Sequence, residues 1–148
     1  MLHRRALSAV LAAAVLAVAA TGVASAAASA TVQVRSTAYG KILVNSKGLT
    51  LYLFEKDKKN KSACSGACLD VWPFLKISGK PTAGPGVNAK LLGTIKVSGG
   101  NEVTYNGHPL YTFTSDTKPG AITGEGNPTF GAAWYLVSPA GNAITKKP

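Results

Sequence analysis

Apolar and polar residues alternate in short stretches along most of the chain after residue 30. Residues 31–36, TVQVRS, alternate as a half-buried strand does. Two apolar runs follow at residues 41–44 and 49–54, with the turn residues 45–48 between them. Short runs separated by turns predict a meander of antiparallel strands in this first half.

The second half of the chain repeats the same succession. The apolar runs at residues 91–97, 102–105 and 108–114 are predicted strands, and residues 98–101 form a predicted turn. The dipeptide Asn106-Gly107 precedes the last run, and it favours a hairpin because both residues tolerate the positive φ of a type I′ turn. A second meander is therefore expected.

An internal repeat is the strongest regularity in this sequence. LYLFEKD at residues 51–57 returns as LYTFTSD at residues 110–116, an offset of 59 residues. A tryptophan that opens a further predicted strand follows each copy, so the chain is predicted to contain two related halves. The repeat-motif residues are Tyr52, Phe54, Asp57 and Trp72 in the first copy and Tyr111, Phe113, Asp116 and Trp134 in the second.

The predicted fold class is all-β. Residues 31–148 form one domain of about eight short antiparallel strands in two related halves that share a small sandwich or barrel-like core. Repeat one covers about residues 31–77, the Gly- and Pro-rich segment 78–90 is a linking loop, and repeat two covers about residues 91–145. Helical periodicity is weak, although the i, i+4, i+8 spacing of Cys64, Cys68 and Trp72 allows one short helical turn.

The aromatic residues of the repeat are interpreted as core. Period two places Tyr52 and Phe54 on one face of their strand, and Tyr111 and Phe113 on one face of theirs. Each buried ring contributes roughly 4 to 6 kcal/mol before entropy is counted, enough to join the two halves. A platform for ligand binding is the alternative interpretation of these rings.

Residues 1–30 have the composition of a secretory signal peptide. Basic residues including Arg4 and Arg5 precede an apolar run at residues 9–20, and cleavage is expected after Ala26 or Ala30. A retained membrane anchor is the alternative, but the run is shorter than the ~20 residues of a typical span. No cysteine follows the run, so we predict a secreted or extracytoplasmic protein without a lipid anchor or a transmembrane span.

The chain is strongly basic, with a formal charge of +10 from 16 basic and 6 acidic side chains. Part of this charge is local, because Lys56, Lys58, Lys59 and Lys61 crowd one loop. An exported basic surface favours anionic envelope polymers, lipid headgroups or acidic glycans as partners, and a solubilising charge without a partner is the alternative. Nucleic acid is not an expected partner, because the chain is exported and lacks a recognisable binding module.

Beyond the two Tyr-x-Phe-x-x-Asp copies, several short motifs indicate a family: SACSGAC at residues 62–68, Trp72-Pro73, GPGV at residues 84–87 and YNGHPLY at residues 105–111. With them the chain resembles the secreted-repeat family of predicted bacterial lipoproteins, for which the resemblance implies no biochemical activity. Many members carry a lipid-anchoring cysteine that is absent here. Phe74 stands where a second proline is common.

Cys64 and Cys68 are the only cysteines, and in an exported protein they are expected to form a disulfide. The alternative is a copper-binding or thiol-redox site made by both sulfurs with His108, the only histidine beyond the signal peptide. Asp57 and Asp116 are interpreted as turn residues whose carboxylates accept backbone N–H bonds, with paired acid catalysis as the alternative.

No sequence motif of a hydrolase, a metalloprotease or a phosphate-binding loop is present. We therefore expect an exported, non-catalytic envelope or extracellular module with a binding or structural role, without a cofactor and with anionic envelope polymers or glycans as candidate partners. The alternative function is the copper-binding or thiol-redox protein described above.

Overall fold

The computed structural model describes residues 30–148, and short antiparallel strands make up most of its regular structure. The predicted all-β fold is confirmed; the predicted signal peptide lies outside the described residues except for Ala30. The elements are β1 (Val32–Thr37), β2 (Gly40–Asn45), β3 (Tyr52–Phe54), α1 (Ala67–Val71), β4 (Lys76–Ile77), β5 (Leu92–Val97), β6 (Gly100–Tyr105), β7 (His108–Pro109), β8 (Trp134–Val137) and β9 (Ala143–Ile144), with 3₁₀ turns at Ala89–Leu91 and Thr129–Gly131.

Three small sheets contain these strands. One is the β1–β2 hairpin, one has the order β3–β8–β9, and one has the order β4–β6–β5 with β7 also paired to β6. Every strand pair is antiparallel, and the sheets do not close into a barrel. The described part of the chain has no helix with the length and hydrophobicity needed to cross a bilayer.

The two halves of the chain make equivalent backbone hydrogen bonds. Each begins with a hairpin of two six-residue strands, β1–β2 in the first half and β5–β6 in the second. Beyond each hairpin the chain returns to the middle of the second strand: Leu51 N–H donates to the Leu43 carbonyl at 3.0 Å, and Leu110 N–H donates to the Val103 carbonyl at 3.0 Å. The repeat seen in the sequence is therefore a repeat of structure.

The two motif segments meet at Tyr52 and Tyr111. The N–H of each tyrosine donates to the carbonyl of the other, at 2.9 and 3.0 Å, which places a local two-fold axis between them. Each segment then turns towards the tryptophan segment of the opposite half. Glu55 N–H donates to the carbonyl of Ala133, which precedes Trp134, and Thr114 N–H donates to the carbonyl of Val71, which precedes Trp72.

The strand predicted at residues 108–114 is too long. Only β7 and a single bridge at Tyr111 form there, whereas the equivalent first-half segment contains β3. In the first half Leu53 is paired with Tyr135 in the β3–β8 ladder, but the equivalent partner of Thr112 is Pro73. Proline has no N–H to donate, so the second ladder is interrupted. The strand predicted to begin at Trp72 accordingly begins later, as β4.

The motif aromatics form one column across the two-fold axis. The rings of Phe54, Trp134, Trp72 and Phe113 stack in that order, with centroid separations of 4.0, 4.0 and 4.3 Å. Tyr52 packs edge-on against Trp72 and Tyr111 edge-on against Trp134. Both tryptophans and both tyrosines are completely buried, so these rings are core and present no face to a ligand.

A second apolar cluster lies on the other faces of the strands. Its buried members are Val32, Leu43, Leu51, Leu53, Val103, Tyr105, Leu110 and Val137. Because successive residues of a strand point to opposite faces, the motif segment contributes Leu51 and Leu53 to this cluster and Tyr52 and Phe54 to the aromatic column. Each motif segment is therefore buried on both faces.

Replacing Tyr111 by Ala is expected to lower the free energy of unfolding by roughly 3 to 5 kcal/mol, because the ring is completely buried and leaves a cavity beside Trp134. Phe113→Ala is expected to cost less, since Phe113 is only partly buried at the end of the column. Equilibrium urea unfolding measures both. A Tyr111→Ala variant as stable as the wild type would contradict the assignment of this ring to the core.

Candidate functional site

The tyrosine and aspartate of the repeat motif are exchanged between the halves. Tyr52 donates its hydroxyl proton to Asp116 Oδ2 at 2.5 Å, and Tyr111 donates to Asp57 Oδ2 at 2.8 Å. The second oxygen of each carboxylate closes a loop: Asp57 Oδ1 accepts the N–H of Ala63, and Asp116 Oδ1 accepts the N–H of Thr123. Both aspartates therefore have structural partners on both oxygens.

Each tyrosine hydroxyl also contacts the loop closed by the opposite aspartate. Gly124 N–H donates to the Tyr52 hydroxyl at 3.1 Å, and Ser62 Oγ lies 2.7 Å from the Tyr111 hydroxyl. A Cβ at position 124 would lie 2.7 Å from the Trp72 ring, so only glycine fits there. Burial and the bonds to carboxylates raise the pKa of both tyrosines, which remain protonated donors at neutral pH.

Asp57 lies in a less favourable environment for its charge than an exposed carboxylate. Burial raises the pKa of Asp57 to about 6, although the hydrogen bonds from Ala63 and Tyr111 oppose that shift. Asp57 is therefore largely ionised at neutral pH and protonated in mild acid.

The predicted disulfide is confirmed. Cys64 and Cys68 are bonded, with a Cα separation of 5.4 Å, and α1 begins within the loop that they close. The helix ends at Val71, and the N–H of the next residue, Trp72, donates to the Cys68 carbonyl at 2.8 Å, so the disulfide lies one helical turn before the aromatic column. Both cysteines are also buried beside that column.

His108 lies in β7, beside the turn that joins it to β6. Desolvation lowers its pKa, and the nearby negative charge of Glu55 opposes that shift. Within residues 30–148 no group of three histidine, cysteine, aspartate or glutamate side chains has the geometry of a metal site. The alternative with copper on Cys64, Cys68 and His108 would in addition require reduction of the disulfide.

Glu102 is a completely buried carboxyl group on β6. Neither of its oxygens has a hydrogen-bond partner within the described structure. Desolvation, with a smaller contribution from the Asp57 charge, raises the pKa of Glu102 to about 9, so the group is neutral at physiological pH. The equivalent position in the first half is Ile42, a buried core residue, so the fold accommodates an apolar side chain at this position.

The segment from Lys56 to Lys61 is an ordered loop, called the basic loop below. Lys58 and Lys61 exchange backbone hydrogen bonds at 3.1 and 2.9 Å, and Asn60 takes the left-handed conformation with φ 56°. Asn60 N–H donates to the Gly107 carbonyl, which fixes the loop to the turn between β6 and β7. The four lysines Lys56, Lys58, Lys59 and Lys61 are all exposed.

A shallow groove of about 280 Å³ runs beside the basic loop. Lys61 lies on the loop side of this groove and Lys96, on β5, also lines it. Ser62 is among the other polar residues that line the groove, and Phe74 is among the apolar ones. The groove therefore continues the positive surface of the loop towards the β5–β6 hairpin.

The sequence patterns do not predict the environments of two residues, Glu102 and Phe130. Glu102 falls in a predicted strand without a functional role, although alignment of the two hairpins pairs it with Ile42. Phe130 was not considered, and its side chain is 38% exposed. No pattern in the sequence marks Phe130, because its position depends on a turn that follows the motif.

A family model described as a secreted repeat of unknown function matches residues 33–76 and again residues 93–138. The chain belongs to this secreted-repeat family. The two matched segments correspond to the two structural halves, and the membership agrees with an extracytoplasmic location. No curated protein and no solved structure matches the chain significantly.

Removing the Tyr52 hydroxyl tests the exchanged pairs of this secreted-repeat protein. Tyr52→Phe is expected to cost about 1 to 3 kcal/mol of stability, because it leaves a buried carboxylate, Asp116, with one donor fewer. Tyr105→Phe is the matched control, since its hydroxyl donates to the neutral carbonyl of Pro139. Urea unfolding measures both variants, and an equal loss in the two would contradict a special role for the tyrosine–aspartate pair.

Glu102 is expected to make stability depend on pH. Its pKa is about 9 in the folded protein and 4.5 as the ordinary value, so the folded state holds a proton that the unfolded state releases. Stability from this group is therefore complete below about pH 4.5 and is lost as the pH rises to 9, with a slope of up to about 1.4 kcal/mol per pH unit.

The variant Glu102→Ile carries the residue found at the equivalent first-half position. It is expected to remove most of this slope and to stabilise the protein at pH 8, because an apolar side chain replaces an unpaired polar one. Urea unfolding between pH 5 and pH 9 provides the measurement. Asp57 retains its own pH dependence near pH 6 in both proteins. Parallel pH profiles of the two proteins would show that Glu102 is not buried as a neutral acid.

Proposed function

We propose that this secreted-repeat protein is a non-catalytic, extracytoplasmic binding module that attaches to anionic envelope polymers or acidic glycans through its basic loop. The observation that carries the proposal is the exposure of four lysines within six residues of an ordered loop. Clustered positive charge attracts polyanions and increases their rate of association. The groove that contains Lys61 and Lys96 extends this positive surface.

The order of the basic loop supports a binding role over a purely solubilising charge. The Lys58–Lys61 backbone bonds, the Asn60–Gly107 bond and the Asp57–Ala63 bond hold the backbone in one conformation. The aliphatic stem of Lys59 lies over Gly107, where an added Cβ would be 2.8 Å from its Cγ. A preformed set of charges loses less conformational entropy on binding than a mobile one.

The use of the conspicuous polar residues within the fold supports a non-catalytic role. Asp57 and Asp116 are occupied by tyrosine hydroxyls and backbone N–H groups, and Glu102 is completely buried. The motif aromatics are stacked in the core. The Cys64–Cys68 disulfide disfavours the copper alternative because its sulfurs are bonded to each other, and the burial of both cysteines disfavours the thiol-redox alternative because thiol exchange needs access to a sulfur. The four exposed lysines of the basic loop remain accessible beside the first motif copy, together with one acidic residue, Glu55.

Polygalacturonate, a polymer of acidic sugars, is a suitable probe. The variant with Lys56, Lys58, Lys59 and Lys61 all changed to Gln is expected to bind it roughly tenfold more weakly, as four exposed ion pairs of about 0.4 kcal/mol each imply. The affinity of the wild type is expected to fall as NaCl is raised, because salt screens exposed charges. Isothermal titration or biolayer interferometry measures both effects.

The control variant removes the same charge from other places. Lys80, Lys90, Lys146 and Lys147 are also exposed and lie outside the basic loop. Changing all four to Gln is expected to weaken binding much less than the basic-loop variant does. Equal losses in the two variants would show that net charge alone attracts the polymer, and a wild type without measurable affinity for any polyanion would reject the proposed function.

A further inference from the structure

Phe130 combines two unusual properties. It has φ 68° and ψ 23°, the left-handed conformation that a bulky side chain rarely adopts. Its side chain is also 38% exposed, the only large hydrophobic side chain in residues 30–148 with that degree of exposure. Strained backbone of this kind concentrates at functional sites, because selection for the fold alone would remove it.

The fold explains the turn at Phe130 but not the ring. The preceding residue, Thr129, is fixed by both tryptophans: its carbonyl accepts the Trp134 indole N–H at 3.0 Å, and its hydroxyl lies 3.4 Å from the Trp72 indole nitrogen. The following residue, Gly131, also has positive φ. Glycine or asparagine would therefore serve at position 130 with less strain. Phe130 is also not among the hydrophobic residues packed against either core cluster.

The turn that carries Phe130 lies next to the basic loop. A Cβ built on Gly131 would be 3.5 Å from the Nζ of Lys56, so the Phe130 turn and the first lysine of the loop are in contact distance of one another. The turn that carries the exposed Phe130 side chain is thus adjacent to a lysine ammonium group. A ligand that contacts this turn is within reach of both an aromatic side chain and a positive charge.

We propose that Phe130 is a ligand-stacking residue of the basic surface, and that the ligand is an acidic glycan. A sugar ring lies on the exposed face of the Phe130 ring while a carboxylate or phosphate on the sugar contacts Lys56. This inference rests on the proposed function and restricts the polyanionic ligand to a polymer that contains sugar rings. A sugar ring needs a single aromatic side chain to stack on, whereas insertion into a bilayer needs several protruding apolar side chains, and Phe130 is the only exposed large hydrophobic residue among residues 30–148.

The test uses variants that separate strain from stacking. Phe130→Asn keeps the left-handed turn without the ring, because asparagine tolerates positive φ. It is expected to melt at the same temperature as the wild type or higher, and to bind polygalacturonate about 3- to 10-fold more weakly, the range given by aromatic contacts. Phe130→Tyr keeps a ring and is expected to bind as the wild type does.

Polyglutamate, a carboxylate polymer without rings, is the second probe. Phe130→Asn is expected to bind polyglutamate as tightly as the wild type does, whereas the basic-loop variant loses affinity for both polymers. Phe130→Asn with unchanged affinity for polygalacturonate would overturn this inference while leaving the proposed function in place. An equal loss for both polymers would also overturn it, by showing that the substitution acts on the loop and not through stacking.

Two further outcomes would overturn the assignment of Phe130. A clear drop in melting temperature for Phe130→Asn would identify the ring as a structural residue. Phe130-dependent binding to phosphatidylglycerol vesicles, stronger than binding to polygalacturonate, would identify a lipid surface as the partner. A wild type that binds no polyanion would instead reject the proposed function, and the stacking role of Phe130 would be rejected with it.

Discussion

The stacking of Trp72 on Trp134 across the local two-fold axis is the interaction on which the rest of the structure depends. The planes of the two indoles differ by 2°, and their centroids are 4.0 Å apart. Each indole is flanked by the motif phenylalanine of the opposite half and covered edge-on by a motif tyrosine. Because each of the four stacked rings has a stacking partner in the other repeat, the aromatic column is built by both halves together.

The same exchange uses up the polar residues of the motif. Each aspartate accepts a hydrogen bond from the tyrosine of the opposite repeat, so the Tyr-x-Phe-x-x-Asp pattern forms an interface between the repeats. Other equivalent positions of the two halves take no part in this exchange and carry different residues. Ile42 and Glu102 occupy equivalent core positions, and only the second places a neutral acid there. At such positions the side chain of one half is not dictated by the interface between the repeats.

Much of this arrangement follows from local sequence patterns, and the remainder depends on contacts between distant residues. The alternation of side chains along a strand predicts that Tyr52 and Phe54 share one face, which the structure confirms. The export signal and the close spacing of the two cysteines predict the disulfide, which is also confirmed. A strand pattern gives a face but no partner, so the crossing of the halves at Tyr52 and Tyr111 could not be derived. Glutamate is normally exposed, so its hydropathy does not predict the burial of Glu102. The left-handed turn at Phe130 follows Thr129, which both tryptophans hold by hydrogen bonds, and one of these, Trp72, is distant from it in sequence.

The loops closed by the two aspartates show how one scaffold supports different surfaces. Asp57 and Asp116 each accept a backbone N–H six or seven residues further along the chain, at Ala63 and Thr123. These two hydrogen bonds fix both ends of each loop. The first loop contains three of the four lysines of the basic loop, Lys58, Lys59 and Lys61, and the second contains one, Lys118. Because the anchors are shared and the lysine content differs, the two halves carry different charge at equivalent loops while they keep the same anchoring contacts.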